Sequence, residues 1–175
     1  MVSEDVTRIA EEMVAAWNAR DVPTFVEFLT EDVEWEDPAM AEPAQGRQAV
    51  ANFTRAVLRA FPDFRYSIRH PLCVASDGSR CAVPWRISAT HLRRLDPPGY
   101  RPTGQHAEFE GVDLLEFRGR RVCRIVTFFN VLVPAEQLLA WRLRPRPGTW
   151  QERFFVWVQS FRAVWLRATR RAPAR

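Results

Sequence analysis

Apolar residues recur at helical spacing through the first third of the chain and in alternation through the middle. Val6, Ile9, Ala10, Met13, Val14 and Trp17 share one side of a helix that runs to about Ala19. Ser3 is placed as its N-cap, with Glu4 and Asp5 in the first turn, where the helix dipole favours acids. Asp21 caps a short second helix with Pro23 in its first turn and Phe25, Phe28 and Leu29 on its apolar side. Val33, Trp35 and Asp37 then alternate with Glu34 and Glu36, a strand stopped at Pro38. After a loop from Ala39 to Gln45, Gly46 opens a third helix. Its stripe is Val50, Phe53, Val57, Leu58 and Phe61, and Pro62 ends it.

Beyond Pro62 the period becomes two. Phe64 to Val74 and Cys81 to Leu92 read as strands joined by a turn at Ser76-Asp77-Gly78-Ser79. Arg93 to Gly104, with three prolines and two glycines, is a loop or wide connection. A strand from His106 follows, then a tight turn near Gly119, a last strand from Val122 to Val133, and a short helix from Pro134 to about Leu143. Helices first and antiparallel strands afterwards predict an α+β domain over residues 1–143, with helices on one face of a curved sheet enclosing a cone. Residues 144–175 form a second segment: the linker RPRPG, then Trp150, Phe154, Trp157, Val158, Phe161, Val164 and Trp165 at helical spacing.

The segment HAEFEGVDLLEF places an acid where the pattern asks for an apolar side chain. Phe109, Gly111, Asp113, Leu115 and Phe117 share one strand face and should look into the core. A carboxyl group among apolar side chains resists ionisation. The plainer alternatives are that Asp113 bonds nearby backbone, or that a bulge turns it outward.

Composition narrows the classes. The chain has 175 residues, enough to bury roughly 70% of its unfolded surface as one domain with an appendage. All 25 basic residues are Arg, which reads as a coding bias. The net charge is only +4, and the excess sits at the C-terminus, where basic residues are too few to suggest nucleic-acid binding. Three cysteines, Cys73, Cys81 and Cys123, lack metal spacing, and a reduced cytoplasmic setting is expected. No secretion signal and no apolar run near ~20 residues is visible. Arg153, Arg162, Arg167, Arg170 and Arg171 flank the C-terminal aromatic stripe. Packing on the domain or a second subunit is the favoured reading; a membrane-surface helix and a partner-bound tail are the alternatives.

The order NARDVPTFVEFLTEDVEWEDP, GRQAVANF with FPDF, PTGQHAEFEGVDLLEFRGRRV, and FFN followed by EQLL resembles the NTF2-like superfamily. That superfamily includes ketosteroid isomerase and the SnoaL-like polyketide cyclases, and the resemblance spans roughly Val6 to Leu139. It implies a cone-shaped cystatin-like α+β fold, a homodimer and cofactor-free chemistry. By the same resemblance, Asp37 matches the isomerase's general base, and Asp113 its protonated acid in the oxyanion hole. Two positions depart: Met13 stands where the isomerase has its oxyanion tyrosine, and Asn130 where the cyclases place an acid/base aspartate.

The expected function is a cyclase or isomerase working through an enolate, with Asp37 as base, Asp113 as acid and His91 as a further candidate. Trp35, Phe53, Tyr66, Trp85 and Phe129 are candidate walls for a small apolar or polycyclic substrate, with Asn130 orienting a polar group. Core packing is the competing account of each aromatic. His70, His91 and His106 show no paired spacing, so no metal site is expected. A non-catalytic binding or assembly protein is the rival reading. Epoxide opening by Asp37, Asp113 and either Arg86 or Arg124 is a third.

Overall fold

The computed structural model describes residues 3–170. They divide into two compact units, the first running to Trp141 and the second beginning at Arg142.

The first unit opens with α1 (Ser3–Asn18), which includes the predicted cap Ser3 as its first residue, and α2 (Val22–Glu27). Asp21 caps α2 as its sequence predicts: its carboxylate accepts from the Thr24 backbone N–H at 3.1 Å and from the Thr24 hydroxyl at 2.6 Å. Strands β1 (Leu29–Glu36) and β2 (Ala44–Gln45) precede α3 (Gly46–Ala60). Gly46 enters that helix at φ +79°, and a Cβ there would stand 3.3 Å from the Glu31 carbonyl, so glycine suits the turn.

The expected strand over 64–74 is broken into β3 (Arg65–Ile68) and β4 (Cys73–Val74). Pro71 lies in the gap and has no N–H to give a neighbouring strand. Then come β5 (Arg80–Thr90), β6 (His106–Arg118), β7 (Arg121–Phe129) and α4 (Leu132–Leu139). The last strand ends four residues before the predicted Val133. The Asn130 side chain accepts from the Leu132 N–H at 3.1 Å and turns the chain into α4. That helix stops at Leu139, short of Leu143, because Ala140 takes a left-handed conformation.

The curved, unclosed sheet runs β2-β1-β7-β6-β5-β3, with β4 also paired to β5. Only β1 with β7 is parallel among these pairs. Alternation gives the sheet two faces. The inner face presents Trp35, Val83, Trp85, Leu115, Ile125 and Thr127, and α1 and α3 cover it with Val6, Ile9, Met13, Trp17, Val50 and Leu58. The outer face carries the opposed pairs Val112–Phe128 and Leu114–Val126. Since β7 ends opposite Gly111, the start of β6 would be a bare edge there. Gln137 of α4 covers it: its amide oxygen accepts from the Glu108 N–H at 2.9 Å and its NH2 donates to the Glu108 carbonyl at 3.1 Å. Helices on one face of a curved, unclosed sheet give the first unit the cone-shaped α+β fold expected from the sequence.

The second unit is mostly α5 (Trp150–Arg170). Arg171, counted in the basic flank of this helix, lies outside the described residues. Among the described residues, no helix is long and apolar enough to cross a membrane.

Candidate active site

Asp113 faces inward, as the alternation requires, in the middle of β6. Directly across the ladder on β7 is Thr127, whose hydroxyl donates to Asp113 Oδ1 at 2.8 Å. From β3 the Tyr66 hydroxyl donates to Oδ2 at 2.7 Å. The Trp35 indole N–H in turn donates to Thr127 Oγ1 at 2.9 Å. Four residues from four strands thus form one polar chain, buried at Trp35 and Thr127 and half-buried at Asp113 and Tyr66. The Trp85 indole N–H is buried with no partner in hydrogen-bond geometry, yet it lies near enough to Asp113 to favour the charged carboxylate. Burial outweighs these donors and raises the Asp113 pKa. Tyr66 is pushed well above its ordinary value, first by burial and then by the neighbouring Asp113 charge.

Trp85 fits against β6 because its cross-strand partner is Gly111. A Cβ on Gly111 would stand 2.4 Å from the Trp85 ring and 2.6 Å from the Phe128 carbonyl. Phe109 meets the indole edge-on at 5.7 Å and Phe129 lies 6.0 Å away. Trp35 packs edge-on against Phe53 at 5.2 Å and Trp17 at 5.8 Å. The aromatics named as cavity walls therefore pack mainly on one another: Trp85 is 2% exposed and Trp35 6%.

Asp37 follows β1 and is half-buried. Its Oδ1 accepts from the Ala39 N–H at 2.7 Å, and its backbone carbonyl accepts from Met40 N–H at 2.9 Å. Asp37 is pushed up to about 6, mainly by burial and further by the negative charge of Asp113, against the pull of the Ala39 N–H. It borders an open hollow of about 310 Å³ with Pro38, Met40, Pro43, Thr127 and Phe128. Thr127 is common to the hollow and the Asp113 chain. A larger hollow, about 490 Å³, lies by the turns at the other end of β6 and β7, among Asp5, Asp77, Phe117 and Arg120. Its Asp77 is held low, first by the Ser79 backbone N–H and then by the Ser79 hydroxyl.

The arrangement bears on two of the sequence expectations. Both Asp113 oxygens are engaged, by the Tyr66 and Thr127 hydroxyls, and burial raises the Asp113 pKa as its apolar setting in the sequence implies. The epoxide-opening set does not assemble, because Arg86 and Arg124 lie on the outer face. Arg86 pairs with Glu108 at 2.9 Å and Glu110 at 2.7 Å, and Arg124 pairs with Glu36. The register explains it: Arg124 stands opposite Glu34 and Glu116, one residue out of phase with inward-facing Ile125.

His91 is buried at the end of β5, stacked on Phe61 at 5.1 Å, and burial lowers its pKa. Among the described residues no hydrogen bond joins it to either aspartate. Asn130 is exposed and its carbonyl oxygen is engaged at α4. Met13 is buried in the core, so the phenol beside Asp113 comes from β3 and not from the first helix. No cluster of three or more His, Cys, Asp or Glu among the described residues is placed to hold a metal ion. Thr127 was not anticipated from the chain; its only signal is that it faces Asp113 once the β6–β7 hairpin is registered.

An inward-facing carboxylate in a helix-covered, unclosed sheet thus lies near a second carboxyl that borders an open hollow. The chain belongs to the SnoaL-like domain family, whose profile matches residues 10–125. A search of curated proteins finds no significant match. Among solved structures, a candidate polyketide cyclase from Pseudomonas putida superposes with a TM-score of 0.67 at 23% identity, covering 76% of this chain and 97% of that one. AclR, a candidate hydroxylase from Streptomyces galilaeus, gives 0.63 at 23% identity, covering 77% and 95%. An NTF2-like protein of unknown function from Burkholderia pseudomallei gives 0.64 at 18% identity, covering 77% and 97%. At these identities the likeness is one of fold.

Proposed function

We propose that this chain is a cofactor-free acid/base catalyst of the polyketide-cyclase type, with Asp37 as the group that both removes and returns the proton. The observation that carries this reading is a half-buried carboxyl with a pKa near 6 at the edge of an open hollow, beside a second carboxylate. A base of that strength is ionised at neutral pH and still gives up its proton readily once loaded. The substrate is a polyketide-like or polycyclic compound bearing an enolisable carbonyl, and the apolar hollow residues Pro38, Met40 and Phe128 suit its flat faces.

In the forward step, Asp37 takes a proton from the carbon next to a carbonyl and the C–H pair becomes an enolate. The enolate carbon attacks a second carbonyl of the same molecule, forming a C–C bond and an alkoxide. The protonated Asp37 then returns its proton to that alkoxide, so no oxidant or reductant is needed. Burial makes the Asp37 carboxyl a usefully strong base, and Asp113 acts through Asp37 by adding its negative charge to that effect. The Tyr66 and Thr127 donors hold that charge in place.

The test is exchange of substrate α-hydrogen for deuterium across a panel of enolisable polycyclic ketones. Asp37→Asn is expected to lower the exchange rate by about 100-fold or more. The wild-type rate should fall as pH drops below about 6, where Asp37 becomes protonated. A binding protein is the second reading, favoured by the aromatic filling of the cone and by the engagement of the Asn130 side chain with the Leu132 N–H at the start of α4. Ketones bound with equal affinity by wild type and Asp37→Asn, with no exchange in either, would establish that reading instead.

A further inference from the structure

The C-terminal unit carries a surface that the proposed chemistry does not use. At 100° per residue, Trp150, Phe154, Trp157, Val158, Phe161, Val164 and Trp165 fall within roughly 120° of the α5 circumference. All seven are exposed, Trp157 by 65% and Phe161 by 69%. Phe154 and Phe161 each stack on Trp157, at 6.3 and 6.4 Å. Arg153 borders the arc on one side and Arg162 lies beyond it on the other, with Arg167 further round.

Charge says what covers this arc. From Arg142 onward the chain has nine arginines and one acid, Glu152, whereas the first 141 residues carry a net charge of −4. Glu152 is occupied, accepting from the Gly148 N–H at 2.6 Å. A second copy of α5 laid on the arc would bring bordering arginines together with little acid to offset them. An anionic lipid surface answers both features. Indole and phenyl rings settle at headgroup depth, and guanidinium groups on long stems reach up to phosphate.

We propose that α5 lies flat in the headgroup region of an anionic membrane, apolar arc down and arginines at the phosphates, holding the SnoaL-like domain at the surface. The helix does not span, since it is not apolar enough to cross. An apolar polycyclic substrate would itself concentrate in such a layer, but the proposal stands on α5 alone and not on the reading of Asp37.

The test is co-sedimentation of the full chain with phosphatidylcholine vesicles, with and without phosphatidylglycerol. Binding is expected only with the anionic lipid and should weaken as salt is raised. Replacing Trp157→Glu and Phe161→Glu together should weaken it by about tenfold or more. Each of Arg153→Gln and Arg162→Gln should weaken it by about fivefold. The overturning results are a folded wild type that stays in the supernatant with anionic vesicles, or binding that survives Trp157→Glu with Phe161→Glu. A dimer that these two glutamates convert to monomer, without vesicle binding, would assign the arc to a second copy and equally overturn the proposal.

Discussion

At the scale of single residues, two carboxyls in one fold are driven upward by the same force and end in different conditions. Asp113 is half-buried and receives hydroxyl donors on both oxygens, from Tyr66 and Thr127. Asp37 has one backbone donor and the Asp113 charge for a neighbour. The cost of keeping Asp37 ionised falls on the folded state. Its folded pKa, about 6, lies above the ordinary 3.8, so between those values the folded chain holds more proton than the unfolded one. Stability from this group is therefore present below pH ~4 and is lost as pH rises through about 6. Asp37→Asn removes that loss while keeping an oxygen for the Ala39 N–H. At pH 7 it should raise unfolding free energy by about 1–3 kcal/mol in urea titration, and the gain should vanish near pH 4. A stabilising change that abolishes exchange is the expected mark of a group retained for chemistry. A variant no more stable than wild type at pH 7 would mean Asp37 is solvated.

At the scale of elements, periodicity carried most of the fold. Helical spacing placed α1, α2 and α3, and alternation placed β5 and β6 with Asp113 on the inner face. Leu29, expected on α2, opens β1, and Ala44–Gln45, expected in a loop, forms β2. The misplaced ends of β3, β7 and α4 came from contacts distant in sequence or from single breaking residues. Pro71 lies between β3 and β4, the Asn130 amide ended β7 early, and Ala140 ended α4. The polar chain through Asp113 was not legible because it depends on which residues stand opposite after the strands pair. Tyr66 drew notice only as an aromatic, and Thr127 drew none. Gly111 shows the same limit. In sequence it is a weak strand residue, but in the sheet it is the seat of the Trp85 ring. Gly111→Ala must displace either the indole or backbone, and Trp85 has Tyr66, Phe109 and Phe129 around it. The expected loss is about 2–3 kcal/mol in urea-induced unfolding, with altered near-ultraviolet circular dichroism. Unchanged stability would mean that the sheet is looser around β6 than its packing indicates.

At the scale of the molecule, the chain joins an acidic SnoaL-like domain to a basic, aromatic helix. The fold came from patterning and the family from the order of short motifs, while the chemistry rests on how burial and charge act on two aspartates. The central claim is that Asp37 is an acid/base group tuned mainly by burial and further by Asp113. Carboxyl-resolved NMR titration of the full chain, wild type against Asp113→Asn, tests it most directly. Asp37 should titrate near 6 in wild type, held there mainly by burial, and fall only slightly when the Asp113 charge is removed. An Asp37 that titrates near ~3.9 in both proteins would contradict the account.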